Sequence, residues 1–146
     1  MSDELSELNL QQDFEEALKA EDSKRWKVKR AGSLEIYVTL SSAKDPSDFF
    51  HARLLWSLYP GEPPSLKFRD PETGRVDVAS AWPQVRGFRP QSLDACVNWC
   101  LEGFGLHPEW RNDPNLKWNS SGNALLRVVR ILQSELDEFF TTRFGK

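Results

Sequence analysis

Apolar and polar residues alternate along two central segments of the chain, and this alternation predicts β-strands. Residues 34–40 carry an aliphatic side chain at every second position, and residues 49–58 place their alternate apolar side chains on one face. That second face comprises Phe50, Ala52, Leu54, Trp56 and Leu58. A period of two is typical of a strand with one buried side. With the shorter segments 26–30 and 65–68 and the turns between them, the pattern predicts a four-stranded antiparallel meander.

Both ends of the chain show helical periodicity instead. Residues 4–20 are predicted to form a helix whose apolar face comprises Leu10, Phe14, Ala17 and Leu18. A second helix is predicted over residues 120–140, with Ser120 or Ser121 as its N-cap. Its apolar face comprises Leu125, Val128, Val129, Leu132, Leu136 and Phe139. Because each buried apolar side chain contributes about 1.5–3 kcal/mol, we expect this helix to stabilise the whole fold.

Residues 69–119 have no sustained period, because proline and glycine interrupt every apolar pattern. The segment also contains both cysteines, one of the two histidines and four of the six tryptophans. So long an irregular stretch is uncommon in a compact domain unless it carries function. We therefore predict an α+β protein in which residues 1–146 form one domain and the irregular segment carries the functional residues.

Composition narrows the classes of function. The 146 residues have a net charge of −3, so the chain lacks the basic surplus of a typical nucleic-acid-binding protein. No apolar run approaches the roughly 20 residues that span a bilayer, and the acidic start is unlike a signal peptide. We predict a cytoplasmic protein with neither a nucleic-acid nor a membrane partner. With only Cys96 and Cys100, which lie four residues apart, we predict no metal site, no cofactor and no disulfide.

Three prolines lie in the turn between the predicted third and fourth strands. The string from Tyr59 to Phe68 reads Tyr-Pro-x-x-Pro-Pro-x-Leu-x-Phe, and it resembles the pattern that ubiquitin-conjugating enzymes carry between the same two strands. Proline fixes φ and resists helix formation, so such a turn is a stiff brace. The resemblance implies a ubiquitin-conjugating-enzyme-like fold, in which this brace directs the chain towards the segment with the active cysteine.

The family places its catalytic cysteine ten residues after the histidine of a His-Pro-Asn motif. Here residues 89–91 read Arg-Pro-Gln at that place, and Cys100 follows Arg89 by eleven residues. Residues 100–102, Cys-Leu-Glu, are similar to the family's Cys-Leu-Asp. Cys96, followed by Val-Asn, is the rival. The spacing favours Cys100, and both cysteines also remain open to interpretation as small buried apolar residues.

The resemblance implies that the cysteine carries the C-terminal glycyl group of a ubiquitin-like modifier as a thioester and transfers it to an amine on a protein target. Transfer needs an N–H donor for the tetrahedral intermediate and a group that takes the proton of the amine. The donor candidates are Gln91 and Asn98. The candidates for proton removal are His107, Glu102, Glu109 and Asp113.

The implied partners are the modifier or another protein with a C-terminal glycine, an activating enzyme and the target. The activating enzyme is expected near Lys19, Lys24 and Arg25, and the modifier tail in a groove beside Cys100. Gln91 in place of asparagine and a single C-terminal helix are similar to divergent prokaryotic relatives from antiphage defence operons. The alternative function is a catalytically inactive binding module or scaffold of the same fold, and a plain interaction domain is a third.

Overall fold

The computed structural model describes residues 3–146 as an N-terminal helix, an antiparallel sheet, an irregular segment and a C-terminal helix. The long helices are α1 (Glu4–Leu18) and α3 (Ala124–Phe139). The sheet contains β1 (Lys27–Gly32), β2 (Glu35–Ser42), β3 (Asp45–Leu55) and β4 (Ser65–Phe68). The irregular segment contains β5 (Phe88–Arg89), β6 (Asp94–Ala95) and a short helix, α2 (Leu101–Leu106). Four 3-10 turns occupy Glu21–Arg25, Ala79–Ala81, Pro90–Ser92 and Pro108–Asn112.

The four long strands form a meander in the order β1-β2-β3-β4, and every neighbouring pair is antiparallel. Val38 of β2 pairs with Val28 and Ala52, so the buried positions of β2 and β3 line up with the half-buried Val28 of β1 on the helix-facing side of the sheet. The predicted α+β arrangement and the meander are therefore confirmed. Leu58 was predicted on the buried face but is 43% exposed, because β3 ends at Leu55 and the chain turns before Leu58.

Helix α3 supplies the largest helical contribution to the core, as its apolar periodicity predicts. The buried apolar residues of α3 are Ala124, Leu125, Leu126, Val128, Val129, Leu132 and Leu136. The predicted N-caps Ser120 and Ser121 are wrong, because Asn123 accepts the cap hydrogen bond from the Leu126 backbone N–H at 2.9 Å. The Asn123 side chain also donates to the Asp13 carbonyl oxygen at 2.9 Å, which ties the start of α3 to α1.

Helix α1 begins at an Asp3 cap, whose Oδ1 accepts from the Leu5 backbone N–H at 3.0 Å. Leu10 and Ala17 are buried against the core, as predicted. Leu18 was predicted to share that face but is 49% exposed, because at 3.6 residues per turn it lies about 80° around the helix from Leu10.

The proline turn after β3 is joined to both long helices through Tyr59. The Tyr59 hydroxyl donates to the Asp13 carboxylate at 2.5 Å and accepts from the Leu125 backbone N–H at 3.0 Å. Its backbone N–H donates to the Ser6 hydroxyl at 3.1 Å. Burial, and then the Asp13 carboxylate, raise the pKa of Tyr59, so the phenol remains a neutral donor.

The far side of the same turn holds the irregular segment in place. The Tyr59–Pro60 peptide bond is cis, and the Pro60 carbonyl oxygen accepts from the Trp118 indole N–H at 2.8 Å. The Pro64 carbonyl oxygen accepts from the Leu101 backbone N–H at 2.7 Å, which fixes the first residue of α2. The turn thus connects the sheet to the start of α2 and to the end of the irregular segment.

Candidate active site at Cys96

Cys96 follows the small hairpin β5–β6 directly, and this hairpin is held rigidly. The Cys96 backbone N–H donates to the Gly87 carbonyl oxygen at 2.8 Å. Leu93 closes the hairpin with a left-handed backbone (φ 59°), and Gly87 also has a positive φ of 86°. Arg89 forms two hydrogen bonds to the Asp94 carboxylate, at 2.7 and 3.0 Å. These contacts hold the backbone of Cys96 in place relative to the hairpin.

A cleft of about 400 Å³ lies beside Cys96. It runs between the hairpin, the loop after α2 and helix α3, and its polar lining includes Asn98, Arg86 and Glu135. The apolar wall includes Trp110. Cys96 is half-buried, so the cleft combines a partly exposed cysteine with an amide, a cation and a carboxylate.

Cys100 has a different environment, although spacing favoured it as the nucleophile. It is 0% exposed, and its Sγ donates to the Ala95 carbonyl oxygen at 3.4 Å. Burial raises the pKa of the Cys100 thiol to about 12, and the nearby Glu102 charge contributes in the same direction. A thiol with this pKa is almost wholly protonated at neutral pH, so Cys100 has the environment of a core residue. The sequence-based preference for Cys100 over Cys96 does not agree with this burial.

Gly103 allows α2 to pack closely against the turn between the two cysteines. A Cβ atom at Gly103 would lie 1.7 Å from the Val97 carbonyl oxygen, so only glycine lets α2 pack this closely on the Cys96-to-Cys100 turn. The Gly103 carbonyl oxygen in turn accepts from the His107 backbone N–H at 2.8 Å, which ends the helix. The close packing of α2 encloses Cys100 and leaves Cys96 at the edge of the core.

Glu135 of α3 is the residue of the cleft that sequence reasoning missed. Burial raises the pKa of Glu135 and Glu138 adds to this rise, whereas the Arg86 guanidinium opposes it. Arg86 itself lies over the Phe139 ring, with its guanidinium carbon 3.8 Å from the ring centroid. The available signal was weak: Glu135 immediately precedes the buried Leu136 and so borders the apolar face of α3.

The two amide candidates are in different places. Asn98 lines the Cys96 cleft and donates from Nδ2 to the Leu116 carbonyl oxygen at 3.3 Å. An amide group carries two N–H donors, so one remains for a ligand. Gln91 is exposed and lines a separate depression formed with Phe139 and Phe144.

Glu102 holds secondary structure together. Its carboxylate accepts from the Ser65 hydroxyl at 2.5 Å and from the Leu66 backbone N–H at 3.0 Å, and Lys67 Nζ lies 3.9 Å away. These contacts join α2 to β4. Its carboxylate is therefore directed at the sheet.

His107, the other predicted base, is stacked on Trp110, with ring centroids 4.3 Å apart and an angle of 13° between the planes. Its Nδ1 lies 3.4 Å from the Glu109 carboxylate, which links two of the predicted proton acceptors to each other. The remaining candidate, Asp113, accepts from the Asn115 backbone N–H at 2.8 Å. Trp110 lines the cleft, so His107 contacts a wall residue of the site.

The predicted docking surface for an activating enzyme includes one residue that is already paired. Arg25 forms two hydrogen bonds to the Asp137 carboxylate of α3, at 2.6 and 2.9 Å. Lys19 and Lys24 are exposed. A partner that binds this surface could therefore contact Lys19 and Lys24, whereas Arg25 is already paired with Asp137.

Among residues 3–146, no three His, Cys, Asp or Glu side chains are grouped so that they could hold a metal ion. Within the same residues, no helix has both the length and the apolar character needed to cross a bilayer. Comparison with known proteins found no matching family model, curated protein or solved structure. The functional argument therefore rests on the geometry of the cleft and on the sequence motif.

Proposed function

We propose that this protein carries the C-terminal glycyl group of a ubiquitin-like modifier as a thioester on Cys96 and transfers it to an amine. The observation that carries the proposal is the contrast in accessibility: Cys96 is half-buried in a cleft, and Cys100 is enclosed. A thioester-forming thiol must be reachable by two successive protein partners, and half-burial beside a cleft supports Cys96 over the enclosed Cys100. The resemblance of the Tyr59–Phe68 string to ubiquitin-conjugating enzymes supplies the reaction class.

In the first step, the Cys96 thiolate attacks the carbonyl carbon of a thioester on an activating enzyme. A carbon–sulfur bond forms to Cys96, the bond to the donor sulfur breaks, and the donor leaves as a thiolate. A thiolate is a good nucleophile, and a thioester keeps the acyl group reactive. The step needs no metal or cofactor, because the bond energies of the two thioesters nearly balance.

In the second step, Glu135 takes the proton from the incoming ammonium group. The free amine then attacks the glycyl carbonyl carbon, an amide bond forms as the carbon–sulfur bond breaks, and the second amine proton passes to the sulfur, so that Cys96 leaves as a thiol. A carboxylate whose pKa is raised is a stronger base than an ordinary glutamate, and this is the direction of the shift at Glu135. Asn98 is placed to donate its remaining N–H to the oxygen of the tetrahedral intermediate, since it lines the same cleft.

The test is intact-protein mass spectrometry of the chain co-expressed with the genes that neighbour its own. Wild type, Cys96→Ala and Cys100→Ala are compared, each before and after treatment with a thiol. We expect a thiol-labile protein adduct on wild type and on Cys100→Ala, and none on Cys96→Ala. An adduct that persists in Cys96→Ala and disappears in Cys100→Ala would assign the nucleophile to Cys100.

The alternative function, a binding module of the same fold, predicts a different result. A partner would then co-purify with all three variants at equal yield, and no variant would carry an adduct. The structural feature that favours this alternative is Arg89, which replaces the histidine of the family motif and is engaged by Asp94. Arg89 therefore has a structural partner, which a scaffold would retain.

A further inference from the structure

The outer face of the sheet, which is turned away from the two long helices, carries a concentration of positive charge. Strand register places its side chains in two adjacent rows that cross the strands. One row contains Lys29, Tyr37, Arg53 and Lys67. The other contains Lys27, Thr39 and His51, followed by Arg69, whose backbone N–H donates to the His51 carbonyl oxygen at 2.7 Å. Neighbouring strands lie about 4.8 Å apart, so each row is a continuous track.

Four of these cations have no acidic partner. In the part of the chain that the structure describes, Lys27, Lys29, Arg53 and Arg69 take part in no ion pair. Lys67 is engaged within the fold, because its Nζ donates to the Leu93 carbonyl oxygen at 2.6 Å and lies 3.9 Å from the Glu102 carboxylate. The two rows contain no acidic residue, although the chain as a whole has a net charge of −3. Glu35 lies on the same face in the next row, paired with Leu55, so the positive charge is concentrated in these two rows.

Planar side chains lie among the cations. The Arg69 guanidinium carbon is 3.9 Å from the centroid of the Tyr37 ring, so the two planar groups form a stack on the sheet. His51 lies in the next row, with its Nδ1 3.1 Å from the Thr39 hydroxyl. Phe49, which precedes His51 by two residues on β3, is 50% exposed. Nucleic-acid bases stack on aromatic rings and on arginine guanidinium planes.

Two simpler explanations cover only part of the face. Lysines on an edge strand prevent sheets from pairing edge to edge, which accounts for Lys27 and Lys29 on β1. It also covers Lys67 and Arg69, which lie on or directly after the other edge strand β4, but it does not account for Arg53 on the interior strand β3 or for the stacking of Arg69 on Tyr37. A protein partner is a poorer fit as well, because the cores of protein–protein interfaces are depleted in lysine, whereas nucleic-acid interfaces are strongly basic.

We propose that the outer face of the sheet binds single-stranded nucleic acid, with its phosphates along the two cationic rows and its bases on the Tyr37–Arg69 stack and Phe49. The proposal is independent of the chemistry at Cys96. It also departs from the prediction of no nucleic-acid partner, which rested on the net charge of the whole chain. A net charge averages over the surface and so conceals a face on which the cations are gathered.

The test is fluorescence anisotropy with labelled 15-nucleotide oligo-dT and oligo-U, titrated with the full chain over a range of salt concentrations. For single strands the slope of log K against log salt is about −0.7 per neutralised phosphate, so four contacts predict a slope of about −3. The variant Lys27→Glu/Lys29→Glu is expected to weaken binding by on the order of tenfold or more and to flatten the slope. Lys117→Glu/Lys146→Glu is the matched control, because it changes net charge equally at exposed sites outside this face.

Several results would overturn the proposal. Equal loss of affinity in both double variants would mean that only net charge matters. Absence of oligonucleotide binding at low salt, together with binding of labelled polyglutamate, would assign the face to an acidic protein. Tighter binding of a duplex of the same length would contradict the preference for a single strand. A milder variant, Lys27→Gln/Lys29→Gln, with a matching circular dichroism melt, keeps the test valid if the glutamate variant folds poorly.

Discussion

The two cysteines lie four residues apart, yet Cys96 is half-buried and Cys100 is enclosed in the core. Cys96 is fixed to the β5–β6 hairpin and borders a cleft. Cys100 immediately precedes α2 and is fully enclosed. The difference arises from the docking of α2, where Gly103 allows the helix to approach the Val97 carbonyl oxygen. The burial of Cys100 thus depends on the close contact of α2 with Val97, and the spacing of sequence motifs does not predict such a contact.

The largest expected effect is on the alkylation rates of the two thiols. In Cys100→Ala the remaining Cys96 should react quickly with iodoacetamide at pH 7.5, and in Cys96→Ala the remaining Cys100 should react very slowly. The pKa of Cys100 is raised to about 12. Compared with a free thiol near 8.5, its thiolate fraction is lower by roughly 10³, before steric protection is considered. Mass spectrometry of the labelled peptides gives both rates, with urea-unfolded protein as the control. Equal alkylation rates of Cys96 and Cys100 in the folded variants would contradict the difference in burial between them.

Gly103→Ala is the next largest change, because the added methyl group would overlap the Val97 carbonyl oxygen. We expect the free energy of unfolding to fall by about 3 kcal/mol or more, measured by urea denaturation. Gly105→Ala is a matched control in the same helix, since a Cβ there meets nothing within 4 Å. Its expected effect is a gain of about 0.5–1 kcal/mol. If Gly103→Ala is as stable as Gly105→Ala and Cys100 stays protected, the explanation for the burial of Cys100 is wrong.

The regular half of the fold follows from local periodicity. Strand β2 alternates buried and half-buried residues along its whole length, and α3 buries the side chains that its apolar period selects. These patterns are visible in sequence because a strand or helix next to a large core exposes one face and buries the other. Helix ends were less predictable. Two serines precede Asn123, and all three are good caps, so only the contact with Asp13 distinguishes Asn123.

The candidate site was less predictable than the fold, for a physical reason. Its residues come from the β5–β6 hairpin, from the loop after α2 and from α3, and no local period relates these segments. Cys96 and Asn98 were proposed because they form a Cys-Val-Asn string within the cysteine-bearing segment. Glu135 is distant in sequence from both, and its carboxylate becomes relevant only when α3 packs beside the hairpin.

Glu135→Gln should slow transfer to an amine by about 100-fold, since general-base contributions are typically 10²–10⁴. Loading of Cys96 should be unchanged, because that step does not need a base for the amine. The raised pKa of Glu135 means that its carboxylate forms only at a higher pH than usual. The wild-type discharge rate should therefore rise through that pKa, and the variant should lose this inflection. Single-turnover discharge of the purified thioester to free lysine measures both effects.

The control for this variant is Glu138→Gln, which changes the same charge three residues along α3 at an exposed position. Its discharge rate should match wild type at every pH, apart from a small downward shift of the inflection, because Glu138 contributes to the raised pKa of Glu135. Equal slowing in both variants would point to the general charge of α3. Normal discharge in Glu135→Gln would assign proton removal to another group.

Glu102→Gln should have the smallest effect and should change stability alone. The amide keeps one acceptor for the Leu66 backbone N–H but loses the charge that Ser65 and Lys67 face. We expect a loss of about 1 kcal/mol in the free energy of unfolding, with loading and discharge rates per folded molecule unchanged. Glu102 is the carboxylate nearest in sequence to Cys100, and Glu135 lines the cleft of Cys96. If Glu102→Gln slows discharge and Glu135→Gln does not, the reaction belongs to the enclosed cysteine, and α2 must move away from the Val97 carbonyl oxygen before Cys100 can react.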